Sequence, residues 1–244
     1  MCRILLSLLS IVLLLSCVKP KDQKEEGLIS ETKPIMPETM LNAAFLIVDG
    51  VYNSELVAPM DILHHTVFHT ERGMRVFTLA PDQDTITSFE GLKIIPDYSF
   101  LTDSLPKIDI LVVPSAEHSM DSDLENEALI GFVKRVGKKA KYVMSLCDGA
   151  FVLAKAGLVD GKESTTFPAD IERYRQTFPQ LAVHEDVSFV HDGKLITSVG
   201  GAKSYDPALY LTELLYGRKA AEGLGRGLVI DWKLSNIKFI KVDR

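Results

Sequence analysis

A chain of 244 residues with 46% hydrophobic and 25% charged content has a globular composition and enough length for one sizeable core. Its formal net charge of −6, with no Lys/Arg cluster in the body to offset it, excludes the electrostatic footprint of a nucleic-acid binder. One folded domain with appendages is expected.

The first residues, MCRILLSLLSIVLLLSC, place Arg3 before an apolar run from Ile4 to Leu15. That run is short for a membrane span and fits the core of a signal peptide over residues 1–16, with an uncleaved anchor as the competing reading. Leu14-Leu15-Ser16-Cys17 resembles the lipobox of bacterial lipoproteins, which implies lipidation of Cys17 and a place at the cell envelope, on a bacterial membrane. Residues 17–41 are rich in Lys, Glu and Pro and read as a solvated tether. Cys2 leaves with the signal and the Cys17 sulfur is consumed by lipid. Cys147 then has no intramolecular partner, and a lone thiol in an exported protein is either a buried hydrophobe or a reactive group.

The folded body is expected over residues 42–217, with 218–244 as an extension. Ala43–Val48 reads as a strand buried on both faces, followed by a helix with Ser54 as N-cap and a stripe of Leu56, Val57, Met60, Leu63, His64 and Val67. A strand over Met74–Ala80 and a hairpin over Thr87–Pro96 hinged at Gly91 come next. Then follow a strand over Asp109–Pro114, a helix over about Asp123–Lys138, and a strand from Tyr142 running into Cys147 and an alanine-rich helix. Lys194–Val199 is a last strand, leading through Gly200-Gly201 into a helix over Ser204–Tyr216. This alternation predicts a doubly wound α/β sheet, mostly parallel, sandwiched by helices. Ligands bind at the carboxyl ends of such strands, where Asp49–Glu55, Pro114–His118 and Cys147–Gly149 converge.

The segments DGVYNSELVAPMD, ILVVP, SLCDGAFVLAKAGLVDGKESTT and DGKLITSVGG together resemble the ThiJ/PfpI family, from Asn42 to about Gly217. The resemblance implies the flavodoxin-like fold of class I glutamine amidotransferase domains, no cofactor, and a homodimer. It implies Cys147 as nucleophile on a strand-to-helix elbow and Glu55, four residues before Pro59, as its acidic partner. The helix N-terminus would favour the thiolate, and Glu55 would act either as a donor to sulfur or as a proton acceptor. As a plain helix residue, Glu55 would instead be a favourable first-turn carboxylate. The backbone amides of Asp148 and of Ser115-Ala116 match an oxyanion site of the family.

The chain departs from the family pattern at two places. Asp148 and Phe167 stand where many members carry histidine, so no Cys-His dyad carries over. Asp148 would either raise the thiol pKa or cap the helix, and His118 is the candidate to supply an imidazole. Asp61, His65 and His69 share a helical face, but zinc signatures are absent and no metal is assigned. Tyr205-Asp206 either lines the pocket or starts the last helix.

The expected function is cysteine-dependent chemistry on a small electrophile: hydratase or lyase chemistry of the isonitrile hydratase, glyoxalase or deglycase kind. Small-ligand binding and thiol redox sensing are the alternatives. The 27 residues of 218–244 are too few for a helix-turn-helix module, so transcriptional control is not expected of this chain.

Overall fold

The computed structural model describes residues 34–243. Arg3, the expected signal peptide and Cys17 lie outside the described residues.

The chain opens with β1 (Leu41–Leu46) and α1 (Asn53–His65), then β2 (Met74–Ala80), β3 (Ile86–Thr87), β4 (Lys93–Ile94) and β5 (Tyr98–Ser99). The central part holds β6 (Ile110–Val113), α2 (Ser122–Glu125), α3 (Glu127–Lys139), β7 (Tyr142–Leu146) and α4 (Gly149–Lys155). The last part holds β8 (Glu163–Ser164), α5 (Ile171–Thr177), β9 (Ala182–Val183), β10 (Phe189–Asp192) and β11 (Leu195–Ser198), followed by α6 (Tyr205–Tyr216), α7 (Arg218–Gly227) and β12 (Phe239–Val242).

Eight strands form one sheet in the order β12-β10-β11-β7-β6-β1-β2-β5. Within it β10 and β11 pair antiparallel, and the other neighbours pair parallel. The expected doubly wound architecture is therefore present.

Successive side chains of a strand point to opposite faces, and here both faces are dry. Ala43, Phe45 and Ile47 join one core with Ile62 and Leu63 of α1 and Leu209 of α6. Ala44 and Leu46 join the other, with Phe132 and Val133 of α3 and Phe151 of α4. Along β6 the same split separates Ile110 and Val112 from Leu111 and Val113. Parallel pairing sends the carboxyl ends of β11, β7, β6 and β1 to one edge of the sheet. The order reverses beside β1, because β2 lies on one side of it and β6 on the other. A crevice at that reversal is where such sheets hold ligands.

Several boundaries differ from those expected. Helix α1 starts at Asn53, with Tyr52 at the N-cap and no side-chain bond there, so Ser54 is not the cap. Its buried face runs through Glu55, Leu56, Pro59, Ile62 and Leu63, whereas Val57, His64 and Val67 are exposed. The face is rotated because α1 turns its own polar Glu55 inward, toward the loops at the strand ends. The helix expected over 123–138 is two helices, since Asn126 takes the Leu129 amide on its side chain at 3.1 Å and starts α3 afresh.

Residues 35 and 36, at the described end of the expected tether, and the extension also pack. The amides of Ile35 and Met36 donate to Leu214 and Leu215 carbonyls at 3.1 and 2.8 Å, so ordered chain begins before residue 42. In the extension, Ala220, Ala221, Leu224 and Trp232 enter the core, and β12 pairs with β10 at the sheet edge. The 217/218 boundary therefore crosses a continuous core.

Candidate active site

Cys147 follows β7 directly and takes φ +53°, a conformation that costs energy for a residue with a β-carbon. It is held there from three sides. Its amide donates to the Ser198 carbonyl of β11 at 2.9 Å, and its carbonyl faces the Thr166 hydroxyl at 3.1 Å. Behind it, Gly149 opens α4 against β6, where a β-carbon would stand 2.2 Å from the Val113 carbonyl oxygen. The loop after β11 closes the site through Gly200, at φ +76°.

Glu55 reaches the thiol from α1 and is only 4% exposed. Its Oε1 accepts the Gly201 amide at 2.8 Å, and the Ser115 amide is also directed at the carboxyl. Its Oε2 is buried without a hydrogen-bond partner, and the Cys147 thiol acts on the same carboxyl. Burial pushes this carboxyl up from its ordinary 4.5 to about 7, with the Asp148 charge adding to the rise and the amides opposing it. Near neutrality it is available in both protonation states, which is more than a first-turn helix carboxylate requires.

Cys147 is 7% exposed, and its Sγ lies 3.6 Å from Asp148 Oδ2. Burial first, then the Glu55 and Asp148 charges, push the thiol well above its ordinary value. The Asp148 amide and the Ser115 hydroxyl only partly offset this. The surroundings thus oppose the thiolate expected at a helix N-terminus: burial and two carboxyls favour the protonated sulfur. A nucleophile of this kind needs a neighbouring base at the moment of attack.

Asp148 does not cap α4 through its side chain. Its Oδ1 accepts the Thr166 hydroxyl at 2.9 Å, and it is 6% exposed. Burial pushes its carboxyl up to about 6; the Thr166 bond pulls it down and Asp170 pushes it further up.

The loop of Ser115 and Ala116 reaches the site without a positive φ at either residue, but its amides do not form the expected oxyanion site. The Ala116 amide donates to Ser119 Oγ at 2.9 Å and the Ser115 amide is turned to Glu55. Of the amides so assigned, that of Asp148 alone faces the sulfur. His118 is exposed and its Nδ1 sits 3.2 Å from Asp121 Oδ1, so its imidazole is engaged away from the thiol.

Asp206 lies in the first turn of α6 and accepts the Ser188 hydroxyl at 2.6 Å, a structural role. The His65 ring packs on those of His64 and Phe68, and the His69 ring lies against Gly223 of α7. Among the described residues, no three His, Cys, Asp or Glu side chains gather as metal ligands.

One site residue escaped the sequence reading. Tyr52, at the start of α1, feels the charges of Cys147, Glu117, Asp148 and Glu55, and burial with these charges raises its phenol. Its ring packs on Phe89 of the β3–β4 hairpin at 4.8 Å. That hairpin is pinned across the loop by the Phe89 amide on Val51 and the Asn53 amide on Glu90, both at 3.0 Å. Tyr52 and Phe89 thus form an aromatic wall beside the thiol. The signal was an aromatic residue three places before Glu55.

The chain is 31% identical over 183 residues to an isonitrile hydratase of Pseudomonas putida, covering 75% of each protein. It is 27% identical over 163 residues to the HTH-type transcriptional regulator CdhR of Pseudomonas aeruginosa, covering 67% of this chain and 47% of that one. The crystal structure of Drosophila melanogaster DJ-1beta superposes with a TM-score of 0.69 at 21% identity, over 80% of this chain and 100% of that one. Residues 42–214 match the DJ-1/PfpI family as a whole. The strand-to-helix elbow, the order of the sheet and this match agree: the chain belongs to the DJ-1/PfpI family.

Proposed function

We propose that the protein is a cysteine-dependent enzyme acting on a small uncharged electrophile, with isonitrile hydration as the leading reaction. The observation that carries this reading is a buried thiol, the free one among the described residues, flanked by two carboxyls, one of them a buried acid with an unpartnered oxygen. The similarity to an isonitrile hydratase supports the choice of substrate.

In this reading Cys147 Sγ attacks the terminal carbon of R–N≡C as its proton leaves. Glu55 delivers a proton to that carbon, giving the thioimidate R–N=CH–S–Cys147. Water then adds to the same carbon, nitrogen takes a proton, and loss of the sulfur releases R–NH–CHO. The acidic surroundings of the thiol disfavour anionic substrates by charge repulsion. Ketoaldehydes, taken up as hemithioacetals on the same sulfur, are the second substrate class to try.

The test is turnover of a panel of alkyl isonitriles, small aldehydes and ketoaldehydes by the wild-type protein. Formamide production with a kcat/KM above about 10³ M⁻¹s⁻¹ is expected for at least one isonitrile. Turnover of none of them sinks the catalytic reading. Binding without turnover would favour a ligand-binding module, a reading to which the match with a regulator's domain also points. A redox-sensing role is the weaker alternative, because a thiol that holds its proton oxidises slowly.

We also infer that lipid on Cys17 tethers the protein to a bacterial membrane and that it works there as a homodimer. The exposed Phe89, Leu92 and Ile95 of the β3–β4 hairpin supply apolar surface for a second copy. Wild type should enter the detergent phase on partition, Cys17→Ala should not, and light scattering should give twice the protomer mass. Equal partition of the two removes the tether, and a monomer mass removes the dimer.

A further inference from the structure

We propose that Asp148 is the base that takes the Cys147 proton, leaving Glu55 as the acid that serves the substrate. The proposal rests on the reading of Cys147 as the nucleophile and names the group that activates it.

The geometry is specific. Asp148 Oδ2 lies 3.6 Å from Sγ with the thiol donating, while Oδ1 is fixed by the Thr166 hydroxyl at 2.9 Å. Thr166 is itself fully buried, and the neighbouring Thr165 holds this segment through its amide on Thr197 Oγ1 at 2.9 Å and its hydroxyl on the His184 carbonyl at 2.8 Å. A carboxylate so anchored keeps Oδ2 directed at sulfur, with the Asp170 carboxyl as its other acidic neighbour. It is not spent on capping α4. The histidine that serves many family members is absent: Phe167 occupies one place, 39% exposed, and His118 is paired with Asp121.

Three groups act on Asp148 from the elements around it: Glu55 on α1, Asp170 on the turn at 168–170, and the thiol. Tyr52 faces the same cluster from the β1–α1 connection. Both carboxyls are raised, Asp148 to about 6 and Glu55 to about 7, so each can hold or release a proton near neutrality. Geometry divides the work: the carboxyl in contact with the thiol proton serves as base and the other as acid.

The protons balance over the cycle. Asp148 carboxylate removes the S–H proton as the C–S bond forms, and the Glu55 acid protonates the substrate carbon. Glu55 carboxylate next takes a proton from the attacking water while Asp148 returns its own to nitrogen. Collapse passes the hydroxyl proton through Asp148 to the departing sulfur, and both carboxyls end as they began.

The experiment is alkylation of the full chain by iodoacetamide between pH 5 and pH 9, read by mass on the peptide that carries Cys147. No substrate of the proposed class is needed, so an inactive panel and a failed profile are separate outcomes. In wild type the rate should climb as Asp148 ionises and level off above about pH 7, whereas a free thiol keeps gaining reactivity past that point. Asp148→Asn should lose the plateau and react roughly 100-fold more slowly at pH 7. If Asp148 acts only as a repelling charge, its removal frees the thiolate and the variant reacts faster; that result, or an unchanged profile, overturns the proposal. Should Asp148→Asn not fold, Thr166→Val keeps the carboxyl and removes its anchor. It should slow the plateau by several-fold, and no change there also overturns the proposal.

Discussion

Replacing Cys147 by serine is expected to lower turnover of any accepted isonitrile or ketoaldehyde by at least about 10³-fold, with the fold retained. Serine keeps the size class, the donor and the tolerance of the elbow, so the Asp148 contact has a matching donor, and the Thr166 contact, made to the backbone carbonyl, is untouched. It loses the nucleophile. A buried hydroxyl beside two carboxyls is a far poorer nucleophile than a thiol, and neither carboxyl is basic enough to ionise it. Cys147 is the free cysteine of the described residues, so no neighbouring thiol can substitute. The stability change should stay within about 1 kcal/mol, because no cavity or unpaired group is created. Initial rates of wild type and variant, with urea unfolding of both, check the two halves. Retained turnover would transfer the chemistry to another group.

Gly200→Ala is expected to cost on the order of 3 kcal/mol and to disable the site together with the stability. Two effects add. At φ +76° an alanine is strained by about 1 kcal/mol or more. The added β-carbon would also stand 2.5 Å from Cys147 Cβ and 2.7 Å from Glu55 Oε1, where neither neighbour has room to move. Gly91 supplies the control, since it has φ +93° and nothing within 4 Å of an added β-carbon. Gly91→Ala should show the conformational cost alone, about 1 kcal/mol. Urea unfolding of the two variants separates strain from collision, and equal losses would show that the approach of this loop to Cys147 and Glu55 is not tight.

The strands that run through both cores are legible because nearly every residue is apolar, Ser145 being the polar exception. Ile110–Val113 and Tyr142–Leu146 cannot be read as amphipathic elements of any period. Phe189–Asp192 was missed for the opposite reason. Its second half, His191 and Asp192, looks like a polar turn, yet His191 is satisfied by the Tyr210 hydroxyl at 2.7 Å and Asp192 by Lys162 at 3.0 Å. Long-range partners of that kind leave no local trace. The tail strand β12 was unreadable for a related reason, since its partner β10 was itself hidden.

The site divides in the same way. The positions of Cys147, Glu55 and Asp148 were legible through the family resemblance, and the structure brings all three together. What each can do was not legible, because it depends on burial. The thiol is pushed up and Glu55 rises to about 7 chiefly because strand ends and loops exclude water from both. The Ser115-Ala116 amides look available in the sequence, yet the Ala116 amide is taken by Ser119 Oγ, three residues on, and the Ser115 amide acts on the Glu55 carboxyl, far back in the chain. His118 was in the right loop with its ring turned to Asp121.

The central claim is that Cys147 forms a covalent bond to the substrate carbon during turnover, and acid quenching in the steady state tests it most directly. Intact mass of the quenched wild-type protein with an alkyl isonitrile should show one added substrate mass. Digestion should place that mass on the peptide containing Cys147, and Cys147→Ser should lack it. Turnover without any adduct under single-turnover conditions, or an adduct mapped to another residue, would contradict the account.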